Sequence, residues 1–465
     1  MDEGSFNELS PSAAGTRDDP GAAANVVAGW GTIHGRKTYT FFQDDSLLGH
    51  PGASAPTRLL TTLMSLARQG GSPLVTLHAA TGARVENSVA SLAAYGELLD
   101  QRVGCSGLIP QVCCVLGRWL GGSSHGAALS DLTICVEGST VMHMSSPHAT
   151  QAVTGESVTD EELGGAHTLS VSGTADLVVP SVEEALELAR YALSFLPDNN
   201  LQSPPYFPPE DEPDRPCAKL ERLIPDSPNV PYDVLEVLAD IVDDGELLET
   251  KPRWGTNVVT AFARLDGYPI GIVANQPMSL AGTLDITSST KGAGFVQLCD
   301  AFNVPLLAFV DTPGFRPGVQ EEFRGIIRHG AKLVYAFAEA TVPKITLIAR
   351  KAYGGAYIVM NSRHIRADLS LAWPSGEIAV MGAEGATKII HRKEIAGAGD
   401  PKARETELIS DYRGRFSNPY IAAERGFVDD VIAPADTRRR LVSGFEILRG
   451  KREMLPQRKH SNIPL

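Results

Sequence analysis

Short runs of Val, Ile and Leu alternate along this chain with stretches whose apolar residues recur every three or four positions. Ser72-Pro73-Leu74-Val75-Thr76-Leu77 and Val304-Pro305-Leu306-Leu307-Ala308-Phe309 are runs of the first kind, while 292–302 and 325–340 are of the second. The runs suit strands buried on both faces, and the three- and four-residue spacing suits amphipathic helices. Strands alternating with helices predict an α/β layered fold of βαβ units, in which ligands bind at the loops that follow the strands.

The same signals then occur a second time, in the same order. Gly31-Thr32-Ile33-His34-Gly35-Arg36 and Ala263-Arg264-Leu265-Asp266-Gly267-Tyr268 both read as hairpins with glycine at the turn. Pro73 stands eleven residues before Arg84, and Pro305 eleven before Arg316. Pro110 stands eleven before Gly121, and Pro343 eleven before Gly354. Three matched strand starts predict an internally duplicated unit. Between the copies, 201–231 is dense in proline and acidic residues and reads as a linker. The expected domains are therefore 1–200 and 232–465, and the Ala-, Gly- and Pro-rich stretch 10–24 is expected to be a mobile surface segment.

Composition narrows the function. The 465 residues are 43% hydrophobic and 21% charged, which suits a globular chain too long for one core. A net charge of −14 repels nucleic acid. No run of eighteen apolar residues offers a membrane span, and the acidic start lacks a signal-like apolar segment. A cytoplasmic protein is expected. The six cysteines show no C-x-x-C spacing, so neither a metal site nor a disulfide framework is predicted, and Cys113 and Cys114 read as buried strand residues.

Two glycine pairs carry the candidate chemistry. Leu120-Gly121-Gly122-Ser123 and Tyr353-Gly354-Gly355-Ala356-Tyr357 each follow an apolar strand and open a helical pattern. Glycine there admits a ligand close to the backbone, and the unpaired N–H groups of a helix start face it. Such a turn can hold an oxyanion, either a thioester enolate or a ureido oxygen. It can equally be a tight turn that needs glycine only for packing. His78, His125, His143, His148 and His167 could serve as general bases, but no nucleophile or metal spacing accompanies them, so they read as structural or surface residues. Asp311-Thr312-Pro313-Gly314 reads as a structural turn, since no Walker A sequence is present.

Beyond these local signals, the chain resembles the β subunits of propionyl-CoA and acetyl-CoA carboxylases. The likeness rests on Leu298-Cys299-Asp300-Ala301-Phe302, Asp311-Thr312-Pro313-Gly314-Phe315, Gly325-Ile326-Ile327-Arg328-His329-Gly330, Arg350-Lys351-Ala352-Tyr353-Gly354-Gly355-Ala356-Tyr357 and Glu377-Ile378-Ala379-Val380-Met381-Gly382. The resemblance implies two tandem domains of the ClpP/crotonase superfamily, assembled as a homohexamer, a trimer of dimers. It implies an acyl-CoA-binding first domain and a biotin-binding second one. Carboxybiotin on a carrier domain would donate the carboxyl group and its nitrogen would take the α-proton of the acyl-CoA. By position, Gly121 and Gly122 would hold the thioester oxygen, and Gly355 and Ala356 the ureido oxygen, flanked by Tyr353, Gly354 and Tyr357. Ile358 resembles members that accept acetyl-CoA or a broader range of acyl chains. No Met-Lys-Met-like biotinylation site and no ATP loop is present, so the resemblance requires a biotin carboxylase and carrier α subunit as partner. No metal is implied.

The first half departs from that pattern. His78-Ala79-Ala80-Thr81-Gly82-Ala83-Arg84 stands where a Ser-Gly-Gly-Ala-Arg sequence is usual, and Arg118-Trp119-Leu120 stands where small residues are common. Gly82, Ala83, Arg118 and Trp119 are thus the candidate substrate-binding residues, and they suggest a non-standard acyl group. A malonyl-type thioester decarboxylase with Arg118 as carboxylate clamp, and an inactive subunit paired with an active paralogue, remain as alternatives.

Overall fold

The computed structural model describes residues 1–9, 25–44, 54–82, 88–225 and 227–464. The stretch 10–24 lies outside them. The chain forms two compact units: Met1–Pro205 with Lys251–Trp254 and Ala301–Asn303, and Tyr206–Thr250 with Gly255–Asp300 and Val304–Leu465.

The first unit is built on the strands β1 (Asn7–Glu8), β2 (Val26–Ile33), β3 (Arg36–Asp44), β4 (Leu74–Gly82), β5 (Gln111–Leu120), β6 (Leu132–Val136), β7 (Val141–His143) and β8 (Leu177–Val179). They pair in the order β1-β2-β3-β4-β5-β6-β8, with β7 added to the end of β5. The second unit uses β9 (Leu247–Thr250), β10 (Val258–Leu265), β11 (Tyr268–Asn275), β12 (Leu306–Thr312), β13 (Lys344–Tyr353), β14 (Leu369–Ala372), β15 (Glu377–Ala379) and β16 (Asp430–Val431). Its order runs β9-β10-β11-β12-β13-β14-β16, with β15 on the end of β13. The two mixed sheets therefore repeat one topology, antiparallel at the hairpin end and parallel beyond it. Even the irregularity recurs. The register shifts between His78 and Ala80 in one sheet, and between Val310 and Thr312 in the other.

Local chemistry explains the elements. Both hairpins turn through two residues of positive φ, His34-Gly35 and Asp266-Gly267, whose twist matches that of the strands. Helix Ile286–Ala301 begins earlier than the spacing predicts because Asp285 accepts the Ser288 N–H at 2.8 Å and caps it. Helix Ile326–Glu339 matches its predicted place closely. Helix Val182–Leu193 starts on Ser181, whose side chain accepts the Glu184 N–H, and carries Glu183 and Glu184 at its positive end.

Part of the stretch 201–231 packs into the second unit's core. Cys217, Leu220 and Tyr232 are buried in the second unit's core beside Val237, Leu238 and Ile241. Arg438, itself buried, donates to the Glu212 carbonyl at 2.9 Å, and the Cys217 N–H donates to the Ala435 carbonyl at 2.9 Å. Its prolines prevent a helix across most of the stretch, yet its few apolar residues and its backbone acceptors fasten it down. All six cysteines are buried thiols. No helix among the described residues is long and apolar enough to cross a membrane.

Candidate active site

Each glycine pair closes the end of a parallel strand. In the first unit β5 ends at Leu120, and Gly121 turns the chain with φ 81° and ψ −164°, a conformation that costs a side-chain-bearing residue dearly. Gly122–Ser124 then form a 3-10 turn that leads into helix His125–Ala128. The Gly121 N–H donates to the His143 carbonyl at 2.9 Å, and the Ser124 N–H donates to the Gly121 carbonyl at 3.0 Å. Of the two glycines expected to hold an oxygen, Gly121 thus has its N–H engaged by β7. The orphan donors of this helix start are the N–H groups of Gly122 and Ser123. Gly122 is exposed, and a Cβ built on it meets no atom within 4 Å, so the approach is open.

Trp119 does not line that approach. It is 1% exposed and belongs to the core cluster of Cys113, Val115, Ala127 and Cys135. Its ring stacks on His78 at 3.9 Å between centroids, and its Nε1 donates to Ser123 Oγ at 2.9 Å. Expected among the substrate-binding residues, this side chain instead lies beneath the turn, in one core with Cys113 and Val115. Arg118, on the neighbouring strand position, is exposed and donates to Asp160 at 2.5 Å. Asp160 also meets His143 Nε2 at 2.9 Å. Arg118 first and His143 second hold the Asp160 carboxyl below its usual range. Gly82 ends β4 opposite Leu120, directly beside the turn. Ala83 lies outside the described residues. Thr81 on β4 pairs with Trp119 on β5.

His78 is fully buried, and neither ring nitrogen meets a hydrogen-bond partner among the described residues. Burial, and then the nearby Arg102, push its pKa well below 6.5, so it is a neutral core residue and not a general base.

In the second unit β13 ends at Tyr353, and Gly354, with φ 57°, opens helix Gly354–Val359. A Cβ on Gly354 would stand 3.1 Å from the Val380 carbonyl oxygen. Gly355 is exposed, whereas Ala356 is fully buried. Their N–H groups belong to the first turn of the helix, where no preceding carbonyl is in reach. Tyr353 donates its hydroxyl to Glu377, and Tyr357 is buried with its hydroxyl pKa pushed up to about 12. Neither tyrosine is a surface contact. Ile358 is half-buried on the same helix. The motifs thus converge on two backbone turns, with Trp119, Tyr353 and Tyr357 buried beneath them rather than in them.

A buried ion pair underlies the second turn. Arg350 Nε donates to Asp311 at 2.9 Å, with 3% and 0% side-chain exposure. The Lys351 N–H donates to the same carboxylate at 3.2 Å. Arg350 also donates to the carbonyls of Ser227 and Val230, and stacks over Tyr232 at 4.7 Å. Burial lowers the Lys351 pKa, opposed by the Asp311 charge. Sequence reasoning took Asp311 for part of a structural turn and missed its partner, which lies 39 positions away. It also missed Ser123, His143 and Asp160, whose roles depend on pairing between distant segments.

Comparison with known proteins agrees over the full length. Residues 1–463 match the carboxyl transferase domain family. A propionyl-CoA carboxylase beta chain from Roseobacter denitrificans is 45% identical over 472 residues, spanning 100% of this chain and 92% of that protein. A methylmalonyl-CoA decarboxylase subunit alpha from Propionigenium modestum is 46% identical across 95% of this chain and 86% of its own. A transcarboxylase 12S crystal structure, described as a hexamer assembly with methylmalonyl-coenzyme A and methylmalonic acid bound, has a TM-score of 0.93 and 42% identity, covering 100% of this chain and 90% of that one.

Proposed function

We propose a function from one premise: this chain belongs to the carboxyl transferase domain family. It is the carboxyltransferase of a biotin-dependent acyl-CoA carboxylase, built from two crotonase-like α/β units in tandem. It moves a carboxyl group to the α-carbon of an acyl-CoA. The observation that carries this reading is the pair of open backbone turns, each with orphan N–H donors at a helix start and an exposed glycine that leaves room for a ligand.

The first unit takes the acyl-CoA. The N–H groups of Gly122 and Ser123 polarise the thioester oxygen and stabilise the enolate that forms when the α-proton leaves. The second unit takes the biotin ring, with Gly355 and Ala356 as donors to its ureido oxygen. The donor set fits such an oxygen, because backbone N–H groups carry no charge that would need a counter-ion. Biotin, brought in on a partner carrier, supplies the carboxyl group and the base for the α-proton. On this division neither His78, which is buried and neutral, nor His143, which is engaged by Asp160, needs to act as the base. The protein contributes position and polarisation. Ile358 is the candidate determinant of acyl length. The partner is a biotin carboxylase and carrier α subunit, and the assembly is a homohexamer, a reading supported by the hexamer assembly described for the transcarboxylase relative.

The test combines the protein with its cognate biotinylated partner, ATP and labelled bicarbonate over short, long and aromatic acyl-CoAs. Acid-stable label in at least one acyl-CoA is the expected result, and a blank panel contradicts the reading. The decarboxylase relative favours a second direction for the same chemistry. Carbon dioxide released from a malonyl-type thioester without ATP would establish it.

A further inference from the structure

The contacts around Asp160 lie outside the machinery just described, yet they converge on its first turn. Asp160 opens helix Asp160–Gly164, whose start is fixed by a capping box between Thr159 and Glu162. The helix presses directly on β7, since a Cβ on Gly164 would stand 2.1 Å from the Met142 carbonyl oxygen. From that fixed point one carboxylate oxygen accepts from Arg118 at 2.5 Å, and the other meets His143 Nε2 at 2.9 Å. Arg118 lies on β5, three residues before Gly121. His143 lies on β7 opposite Leu120, and its carbonyl receives the Gly121 N–H. One carboxylate therefore links the two strands between which the turn is suspended. The His143 side chain is 6% exposed and its Nδ1 meets no partner among the described residues, so Asp160 supplies its hydrogen bond on the other nitrogen.

We propose that Asp160 is a positioning residue for carboxyl transfer: by joining Arg118 to His143 it sets the direction of the Gly122 and Ser123 N–H groups. The inference rests on the reading of this turn as the thioester site. It also gives Arg118 a role other than that of a clamp for a substrate carboxylate.

The experiment uses the full chain with its biotinylated partner. Asp160→Asn keeps the shape but removes the charge, and is expected to lower kcat about 10- to 100-fold while KM for acyl-CoA changes little. Arg118→Met should lower kcat in the same sense, and the double variant should be no worse than the more severe single one, since both break one chain of contacts. Amide exchange over 117–124 should rise in Asp160→Asn, and Asp160→Glu should recover part of both effects. Unchanged exchange overturns the inference, and so does unchanged kcat in an active enzyme. Should the wild-type protein carboxylate no acyl-CoA, the functional reading fails by itself, and exchange alone decides whether Asp160 orders the turn.

Discussion

The two glycine turns sit on the same scaffold but are braced in opposite ways. Seven residues beyond Pro343 stands Arg350, paired in the dry interior with Asp311, six residues beyond Pro305. At the matching places of the first unit stand Gly117 and Ala79. There backbone meets backbone so closely that a Cβ on Gly117 would fall 1.8 Å from the Ala79 carbonyl oxygen. Neither of these two positions carries a charged side chain. The ionic brace of the first turn lies at the surface instead, where Arg118 is 53% and Asp160 31% exposed. A buried pair is costly to disrupt, because either partner alone is left uncompensated, whereas an exposed pair is weak and screened by salt. The duplicated fold thus preserves the turn while exchanging a deep brace for a shallow one.

The comparison breaks most visibly at the deep brace. Arg350→Met should destabilise the protein by roughly 3–5 kcal/mol, since it leaves buried Asp311 with only the more distant Lys351 ammonium, at 3.9 Å, and frees the carbonyls of Ser227 and Val230. A urea midpoint close to wild type would show that the second turn does not depend on that pair. Arg118→Met, by contrast, should move the midpoint by no more than about 1 kcal/mol equivalent.

Next in size is the effect on the turns themselves. A Cβ on Gly122 meets nothing within 4 Å, and one on Gly355 only reaches the Phe315 ring at 3.8 Å. Neither glycine is in the left-handed region. Gly122→Ala and Gly355→Ala should therefore fold with undiminished stability yet turn over about 100-fold more slowly, because the added methyl holds the reacting oxygen off its donors. Full activity in both variants would mean that the glycines serve only the packing of a turn.

The smallest effect sharpens the contrast beneath the first turn. His78 is held neutral by burial, while the unfolded chain protonates it as the pH falls below 6.5. Stability contributed by this group is thus present above that value and is lost on acidification, by up to about 1.4 kcal/mol per pH unit. His78→Leu should remove that part of the slope, seen in urea midpoints at about pH 7.5 and about pH 5.5. An identical slope in the variant would show that His78 titrates freely in the fold.

Much of the architecture could be read from local pattern. The strand starts at Pro73, Pro110, Pro305 and Pro343, both hairpins and the duplication follow from apolar runs and turn residues, which are short-range signals. The inward turn of Trp119 was also available, since Cys113, Val115 and Trp119 stand an even number of residues apart and share one core. What stayed hidden depends on distant pairing. Only the addition of β7 to β5 withdraws the Gly121 donor, and only the helix at Asp160 gives Arg118 a partner 42 positions away. The burial of Cys217 and Leu220 within the stretch 201–231 was hidden for a similar reason. The proline content of that stretch is local, whereas the pockets that receive Cys217 and Leu220 are assembled by the second unit.

The account stands on the claim that Gly122 and Ser123 polarise a thioester oxygen. Infrared difference spectroscopy of an acyl-CoA carrying ¹³C at the thioester carbonyl, bound to the protein, reads that polarisation directly. The account predicts a carbonyl stretch shifted to lower frequency than in free solution, with the shift lost in Gly122→Ala. A bound carbonyl at its solution frequency, or a shift that survives in the variant, would contradict it.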